Sequence, residues 1–145
     1  MVKTIKANNP ELTSWINIPE NSDFPIQNLP FGIYSTNEKN KRVGVAIGDK
    51  IIDLQCLKEL KYFEELPFKN EDFACNFLNK MMSYGKEEIR RLRNRLSELL
   101  DSSNKELSEN KYATSKCIDL QAQSTMHIPV QIGDYTDFYS SEQHA

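Results

Sequence analysis

The residues most informative about the fold are Arg42-Val-Gly-Val-Ala-Ile-Gly-Asp-Lys-Ile-Ile-Asp-Leu54. Apolar residues alternate with smaller ones from Val43 to Ile47, which is the period of a half-buried β-strand, and a second apolar run follows at Ile51-Ile52. The dipeptide Gly48-Asp49 between the two runs indicates a hairpin turn, because glycine adopts positive φ angles without steric cost. Phe31 and Ile33 show the same alternation upstream. The pattern predicts a small twisted sheet or barrel.

After the predicted hairpin the apolar period becomes helical. Apolar residues three apart between Leu57 and Phe63 predict a short helix that ends before Pro67. A second helix is predicted to begin at an Asn70 cap, and Gly85 to mark its end or an interruption. The apolar residues of this second helix lie four apart and would form one buried face: Phe73, Phe77 and Met81.

The clearest predicted helix begins at Lys86, and the polar stretch from Lys105 to Lys116 is predicted to be a loop. The helix carries an apolar stripe of Ile89, Leu92, Leu96 and Leu99. It also carries Arg90, Arg91, Arg93 and Arg95, together with Glu87, Glu88 and Glu98. We favour pairing of these charges on a solvated face over an anion or nucleic-acid patch, because both signs share the surface.

The composition limits the class of protein. The chain has 145 residues, 39% hydrophobic and 27% charged, which suits one globular domain or one domain plus the start of another. A formal net charge of −3 provides no basic field for phosphate backbones, so we expect no nucleic-acid partner. No apolar run approaches the ~20 residues of a membrane span, and the N-terminus lacks a signal sequence. We therefore expect no membrane partner and a cytoplasmic location.

The cysteines indicate no particular chemistry. Cys56, Cys75 and Cys117 are too far apart for a zinc knuckle or a dense disulfide framework to be deduced, and their odd number favours a reducing compartment. We expect them to be buried apolar residues. Likewise, Met81-Met82 is interpreted as core filler rather than a soft-metal site.

Chemistry-bearing side chains concentrate near the C-terminus. Asp134, Tyr135, Asp137, Tyr139 and His144 lie within eleven positions. Asp137 could ligate Ca²⁺ or Mg²⁺, but a divalent ion needs about six donors, more than this segment supplies. His144 could act as a general base if another group oriented its ring. Because these residues lie at the very end of the chain, we expect a fragment of a longer protein.

Three blocks of the sequence resemble fumarylacetoacetases. They are Asn21 to Thr36, Arg42 to Leu54 and Thr125 to Ala145. The third block, Thr125-Met-His-Ile-Pro-Val-Gln-Ile-Gly-Asp-Tyr-Thr-Asp-Phe-Tyr-Ser-Ser-Glu-Gln-His-Ala145, is the most specific. The resemblance runs in the same order from about Trp15 to the end and is weakest over the predicted helices.

This resemblance implies an α+β fold with two parts. Residues 1–128 would form a small SH3-like β-barrel with accompanying helices. Residues 129–145 would be the start of a truncated β-rich catalytic hydrolase domain. We expect residues up to about Ile128 to fold and residues Val130 to Ala145 to be mobile.

The resemblance also implies an activity. Fumarylacetoacetases hydrolyse a C–C bond of a 1,3-diketo acid, 4-fumarylacetoacetate, to fumarate and acetoacetate, the last step of tyrosine and phenylalanine degradation. By resemblance, Asp137 would be a metal ligand, Tyr139 a substrate contact and His144 the base that activates water. The complete enzyme would use Ca²⁺ or Mg²⁺ to hold the diketone oxygens and would be a homodimer.

The family's other catalytic residues come from downstream sequence, so we expect this chain alone to be inactive and to bind metal weakly or not at all. Two alternatives stay open. One is a stand-alone SH3-like interaction module without catalysis, and the other is a metal-binding protein in its own right.

Overall fold

The structure, a computed structural model, describes residues 5–144 except for the side chain of His144. Within this range the chain forms a small α+β domain. The strands are β1 Phe31–Ser35, β2 Arg42–Ile47, β3 Lys50–Asp53, β4 Ile118–Leu120 and β5 Thr125–His127. The α-helices are α1 Leu54–Glu59, α2 Asn70–Phe73, α3 Asn79–Met82, α4 Lys86–Leu100 and α5 Lys111–Cys117. Short 3₁₀ turns cover Lys6–Asn8, Gln121–Gln123 and Glu142–His144.

The predicted hairpin is confirmed. Strands β2 and β3 pair antiparallel as far as Ile47 opposite Lys50, which leaves Gly48 and Asp49 as the two-residue turn. Gly48 has φ +56°, and a Cβ atom there would lie 3.0 Å from the carbonyl oxygen of Asn17. A side chain would therefore be strained at this position both by its backbone angle and by its neighbour.

The sheet is antiparallel and curled. Its strand order is β4-β3-β2-β1-β5, so the two edge strands, β4 and β5, are consecutive in the chain. Only residues 121–124 connect them. In a flat sheet the outer strands would be about 19 Å apart, from four spacings of ~4.8 Å. One 3₁₀ turn, at ~2 Å per residue, does not bridge that distance, so the sheet curls into a half-barrel.

One apolar core joins the sheet to the helices. Helix α4 contributes its predicted stripe, because Leu92, Leu96 and Leu99 are fully buried, while Ile89 packs partly buried at the edge of the core. The opposite face of the sheet, which points away from the helices, is largely buried as well: Tyr34 and Ile51 are 0% and 3% exposed, and Ala46 is partly buried.

The prediction of one helix from Asn70 to Gly85 is wrong. The segment forms two short helices, α2 and α3, because the N–H of Leu78 donates to the carbonyl of Pro129 (2.7 Å) instead of continuing a helix from α2. Phe73 and Met81 are buried as predicted, but Phe77 is 39% exposed, and Met82, which was expected to fill the core, is 56% exposed.

The helix ends differ from the predictions in detail. Asn70 is the first residue of α2, and Lys69 occupies the N-cap position. Gly85 has φ +86° and its N–H donates to Met82 (3.0 Å), so it marks the predicted interruption: it lies in the turn after α3, whose C-cap is Ser83, and is the N-cap of α4. Helix α1 ends at Glu59, close before Lys61, which has a φ of 69°.

The predicted loop from Lys105 to Lys116 contains helix α5. Asn110 caps it by accepting the N–H of Ala113 (3.0 Å). The buried face of α5 consists of Ala113 and Cys117, which are small residues and therefore produce a weak apolar period. This explains why the sequence pattern did not indicate the helix.

A disulfide bond joins α1 to α5. Cys56 and Cys117 have Cα atoms 5.3 Å apart and their sulfurs are bonded, whereas Cys75 is a free thiol. The expectation that the three cysteines are simply buried apolar residues is wrong for this pair, and Cys56 and Cys75 are only partly buried. The two bonded cysteines are 61 residues apart in the sequence, so no local sequence pattern indicates the bond.

The arginines of α4 pair with acidic side chains and backbone oxygens, which confirms the preferred interpretation of that surface. The pairs within the helix are Glu87 with Arg90 (3.5 Å) and Glu88 with Arg91 (2.8 Å). Outside the helix, the arginines donate to the side chains of Asn8 and Glu106 and to the backbone carbonyls of Gln27, Tyr62 and Glu65. A separate observation concerns membranes: none of the helices in the described part of the chain has the length and the apolar content that a membrane span requires.

Candidate functional site

The residues predicted to carry chemistry lie on the segment that follows the domain, residues 130–144, which we call the site segment. The domain holds the chain at two points where this segment begins, one just before it and one within it. The carbonyl of Pro129 accepts the N–H of Leu78, and the backbone of Gln131 makes two hydrogen bonds with the side chain of Asn79. Val130 packs partly buried against the core. The chain is therefore anchored as far as Gln131.

Beyond Gln131 the site segment is exposed. Asp137 is exposed, and Tyr139 is 72% exposed. Within the described part of the chain, no hydrogen bond connects residues 132–140 to the domain. His144 belongs to the last 3₁₀ turn, but its side chain lies outside the described residues. Asp137 and Tyr139 thus share an exposed stretch and do not line a closed pocket.

The described residues do not supply a metal site. Among them, no group of three or more His, Cys, Asp or Glu side chains could hold a metal ion. Ca²⁺ takes six to eight oxygen ligands, and Mg²⁺ demands an octahedral set of six. Asp137 provides a single carboxylate, so the residues present do not fit a resident Ca²⁺ or Mg²⁺ without further donors.

The surface cavities lie away from the site segment. A cavity of about 440 Å³ is formed by residues 61–66 and α4, and one of about 480 Å³ by Thr36–Glu38 with Asp119, Leu120 and Gln123. A third cavity, of about 260 Å³, is an apolar groove on the face of the sheet that points away from the helices, lined by Phe24, Pro30, Phe31, Ala46 and Met126 among others. None of these three includes a residue of the site segment.

A buried carboxylate, Asp53, ties the strands to α1. It is fully buried and accepts the N–H of Cys56 (3.0 Å), which makes it the N-cap of α1. Its other oxygen lies 3.1 Å from both the guanidinium of Arg42 and the ammonium of Lys39. Burial of an ion is favourable only when partners of this kind compensate for the lost hydration.

The same cluster extends to β4 through Asp119. The hydroxyl of Tyr34 donates to Asp119 Oδ2 (2.6 Å), and Lys39 Nζ donates to the same atom (2.7 Å). Burial above all, and then the negative charges of Asp53 and Asp119, raise the pKa of Tyr34 far above its ordinary value. We call Tyr34, Lys39, Arg42, Asp53 and Asp119 the Asp53 cluster. Its charges are mutually compensated, so it is a structural network that connects four strands.

Ser35 and His127 form a polar pair between β1 and β5. Ser35 Oγ lies 2.8 Å from His127 Nε2. A nucleophilic serine would need a base that is itself oriented by a third group. No such partner of His127 is found among the described residues. The pair therefore stabilises the contact between an edge strand and its neighbour.

Only one of these polar features had a signal in the sequence. Asp53 lies between a strand pattern and a helix pattern, which is the position of an N-cap. The other contacts join residues far apart in the chain: Tyr34 with Asp119, Ser35 with His127, and Asn79 with Gln131. No spacing rule reaches over such separations.

Comparison with known proteins shows the family. Residues 27–129 match the family model described as fumarylacetoacetase N-terminal. The chain belongs to this family. The resemblance found in the sequence blocks is thereby confirmed, and the chain matches fumarylacetoacetases over most of its length.

Individual relatives agree. The chain is 45% identical over 133 residues to fumarylacetoacetase of Mus musculus, 40% over 135 residues to that of Caenorhabditis elegans, and 36% over 136 residues to that of Arabidopsis thaliana. These alignments cover 91 or 92% of this chain but 32% of each relative. The chain therefore spans about a third of the length of the curated relatives that it matches.

Proposed function

We propose that this chain is the N-terminal part of a hydrolase that converts 4-fumarylacetoacetate and water to fumarate and acetoacetate, the last step of tyrosine and phenylalanine degradation. The observation that carries the proposal is the 45% identity over 133 residues to a fumarylacetoacetase. The exposed site segment supports it, because Asp137 and Tyr139 are presented without the partners that a complete site requires. The chain alone is proposed to be inactive.

The proposal includes a domain organisation. Residues 1–128 form an SH3-like barrel with its helices, and residues 129–145 are the first residues of a β-rich catalytic domain. A five-stranded antiparallel sheet whose edge strands are joined by a single 3₁₀ turn supports the barrel assignment. The end of the family match at residue 129 supports the boundary.

We assign roles in the reaction to three residues of the site segment. Asp137 contributes one ligand to a Ca²⁺ or Mg²⁺ ion, Tyr139 contacts the substrate, and His144 is the general base. The described residues do not hold such an ion by themselves, so its other ligands must come from the catalytic domain that the relatives possess. The complete protein is proposed to be a cytoplasmic homodimer, without nucleic-acid or membrane partners.

His144 is proposed to start the hydrolysis as a general base. The imidazole of His144 takes a proton from water, and the hydroxide forms a C–O bond with the carbonyl carbon of the fumaryl group. The C–C bond from that carbon to the central methylene then breaks. The departing carbanion is stabilised as an enolate by the remaining ketone and takes up one proton to become acetoacetate, which balances the proton that His144 removed from water, while the acyl part leaves as fumarate.

The test is hydrolysis of 4-fumarylacetoacetate by two proteins, the chain alone and the chain fused to the remaining two thirds of the mouse relative. We expect turnover only by the fusion. A folded fusion without turnover would contradict the proposed function, and turnover by the chain alone would contradict its incompleteness.

Site variants of the fusion sharpen this test. His144→Ala should lower kcat about 10²- to 10⁴-fold, the usual contribution of a general base. Asp137→Ala and Tyr139→Phe should also lower the activity. Asp23→Ala and Tyr112→Phe, exposed residues of the same types within the domain, are the matched controls and should leave it unchanged.

The alternative is an interaction module that binds a complete fumarylacetoacetase. The apolar groove on the face of the sheet that points away from the helices is the observation that favours it. An inactive fusion, together with sedimentation of the chain as a complex with the full-length mouse relative that Ala46→Asp abolishes, would support this alternative.

A further inference from the structure

The side chain of Asn79 holds the backbone of the site segment in the way that a neighbouring strand would. Its Nδ2 donates to the carbonyl of Gln131 (3.0 Å), and its Oδ1 accepts the N–H of the same residue (2.8 Å). Two parallel bonds to one residue fix the direction of the chain as well as its position. The adjacent bond from Leu78 to Pro129 adds a third (2.7 Å).

The backbone that carries Asn79 is packed against the core on both sides of this residue. Asn79 is the first residue of α3. Leu78, directly before it, and Met81, two residues after it, are 7% and 1% exposed and belong to the core. The Asn79 side chain itself is exposed. Exposed neutral hydrogen bonds contribute only about 0.5–1.5 kcal/mol each to stability. The arrangement is therefore better suited to orienting the segment than to stabilising the domain.

We propose that Asn79 is a positioning residue for the active site: it sets the point and the direction in which the site segment leaves the domain. Asp137 lies six residues beyond Gln131, and Tyr139 eight. Each unanchored residue adds up to ~3.5 Å of reach, so the loss of the anchor at Gln131 widens the volume that these side chains sample. The inference rests on the proposed function, because it assigns the segment its catalytic use.

The first test uses this chain itself. We would measure ¹⁵N relaxation and hydrogen exchange for the native chain, Asn79→Ala, Asn79→Asp and the control Asn76→Ala. Asn76 lies in the same region and makes no side-chain hydrogen bond within the described structure. We expect order parameters near ~0.85 at Gln131 in the native chain and Asn76→Ala, below ~0.6 in Asn79→Ala, and intermediate in Asn79→Asp, which keeps only the acceptor. Unchanged order and exchange at Gln131 in Asn79→Ala would overturn the proposal.

The second test uses the fusion with the remaining two thirds of the mouse relative. Asn79→Ala should lower kcat about tenfold, raise KM less, and leave the thermal midpoint unchanged, whereas Asn76→Ala should leave all three unchanged. A merely structural contact would lower the thermal midpoint and leave kcat per folded molecule intact, and that result would overturn the proposal. Unchanged kinetics of Asn79→Ala would overturn it as well.

The experiments distinguish failure of the proposed function from failure of the positioning role of Asn79. If the unmutated fusion folds but does not turn over, the proposed function fails, whatever the relaxation data show. If the unmutated fusion is active and Asn79→Ala matches it, the positioning role fails and the proposed function stands.

Discussion

At the scale of single residues, the largest effect is expected at Asp53. Removing its carboxylate in Asp53→Ala leaves the charges of Lys39 and Arg42 without their shared partner and the N–H of Cys56 uncapped. Breaking a buried ion pair typically costs about 3–5 kcal/mol. We expect a decrease of that size in the free energy of unfolding, measured by urea denaturation.

Asp49→Ala is the matched control for that substitution. The Asp49 side chain is 56% exposed and pairs only with its neighbour Lys50. Exposed pairs contribute little to stability, so the control should leave the unfolding free energy nearly unchanged. Equal effects of the two substitutions would contradict the role assigned to burial.

Tyr34 is predicted to make stability depend on alkaline pH. Burial, first of all, raises its pKa in the folded state above the ordinary value of 10.0 that applies to the unfolded chain. The unfolded state therefore loses this proton before the folded state does. Its contribution to stability is complete below pH ~10 and declines above it by up to ~1.4 kcal/mol per pH unit.

Urea denaturation of the native chain and of Tyr34→Phe across pH 8 to 11 checks this. Tyr34→Phe should lose about 1.5–3 kcal/mol at pH 8 with the hydrogen bond to Asp119 and should show a shallower decline above pH 10. Parallel curves for the two proteins would show that Tyr34 titrates normally.

At the scale of elements, the disulfide between α1 and α5 should dominate. It closes a loop of 61 residues, for which the chain-entropy relation gives about 4 kcal/mol at 25 °C. We expect reduction, or Cys117→Ser, to lower the free energy of unfolding by about that amount in urea titrations. Cys75→Ser, at the free thiol, is the control and should have little effect. Insensitivity of the native chain to reductant would mean that the bond contributes nothing.

At the scale of the whole molecule, the domain should be separable from most of the site segment. Tyr135, Phe138 and Tyr139 are 72 to 81% exposed and offer chymotrypsin its most accessible sites. We expect the first cuts there, with a remaining core whose thermal midpoint equals that of the intact chain. Tyr112, 64% exposed but held in α5, should be cut later. A first cut at Tyr112, or a lowered midpoint, would contradict this separation.

Some tertiary features could not be predicted from the sequence. The break between α2 and α3 depends on Pro129, which takes the N–H of Leu78 from 51 residues away in the chain. Helix α5 buries only small residues, so its weak apolar period was interpreted as a loop. The domain also anchors the chain up to Gln131, three residues beyond the predicted limit at Ile128, because the side chain of Asn79 reaches its backbone.

Sequence patterns were sufficient to predict the β2–β3 hairpin, the apolar stripe of α4, the charge pairing on its surface and the family to which the chain belongs. These depend on alternation, helical period and turn chemistry, which act over a few residues. Tertiary contacts alone account for the Asp53 cluster, the bond between Cys56 and Cys117, and the hydrogen bonds from Asn79 to the site segment. Each of these needs groups from distant parts of the chain to meet within a few ångströms, and that proximity exists only once the sheet has curled and the helices have packed against it.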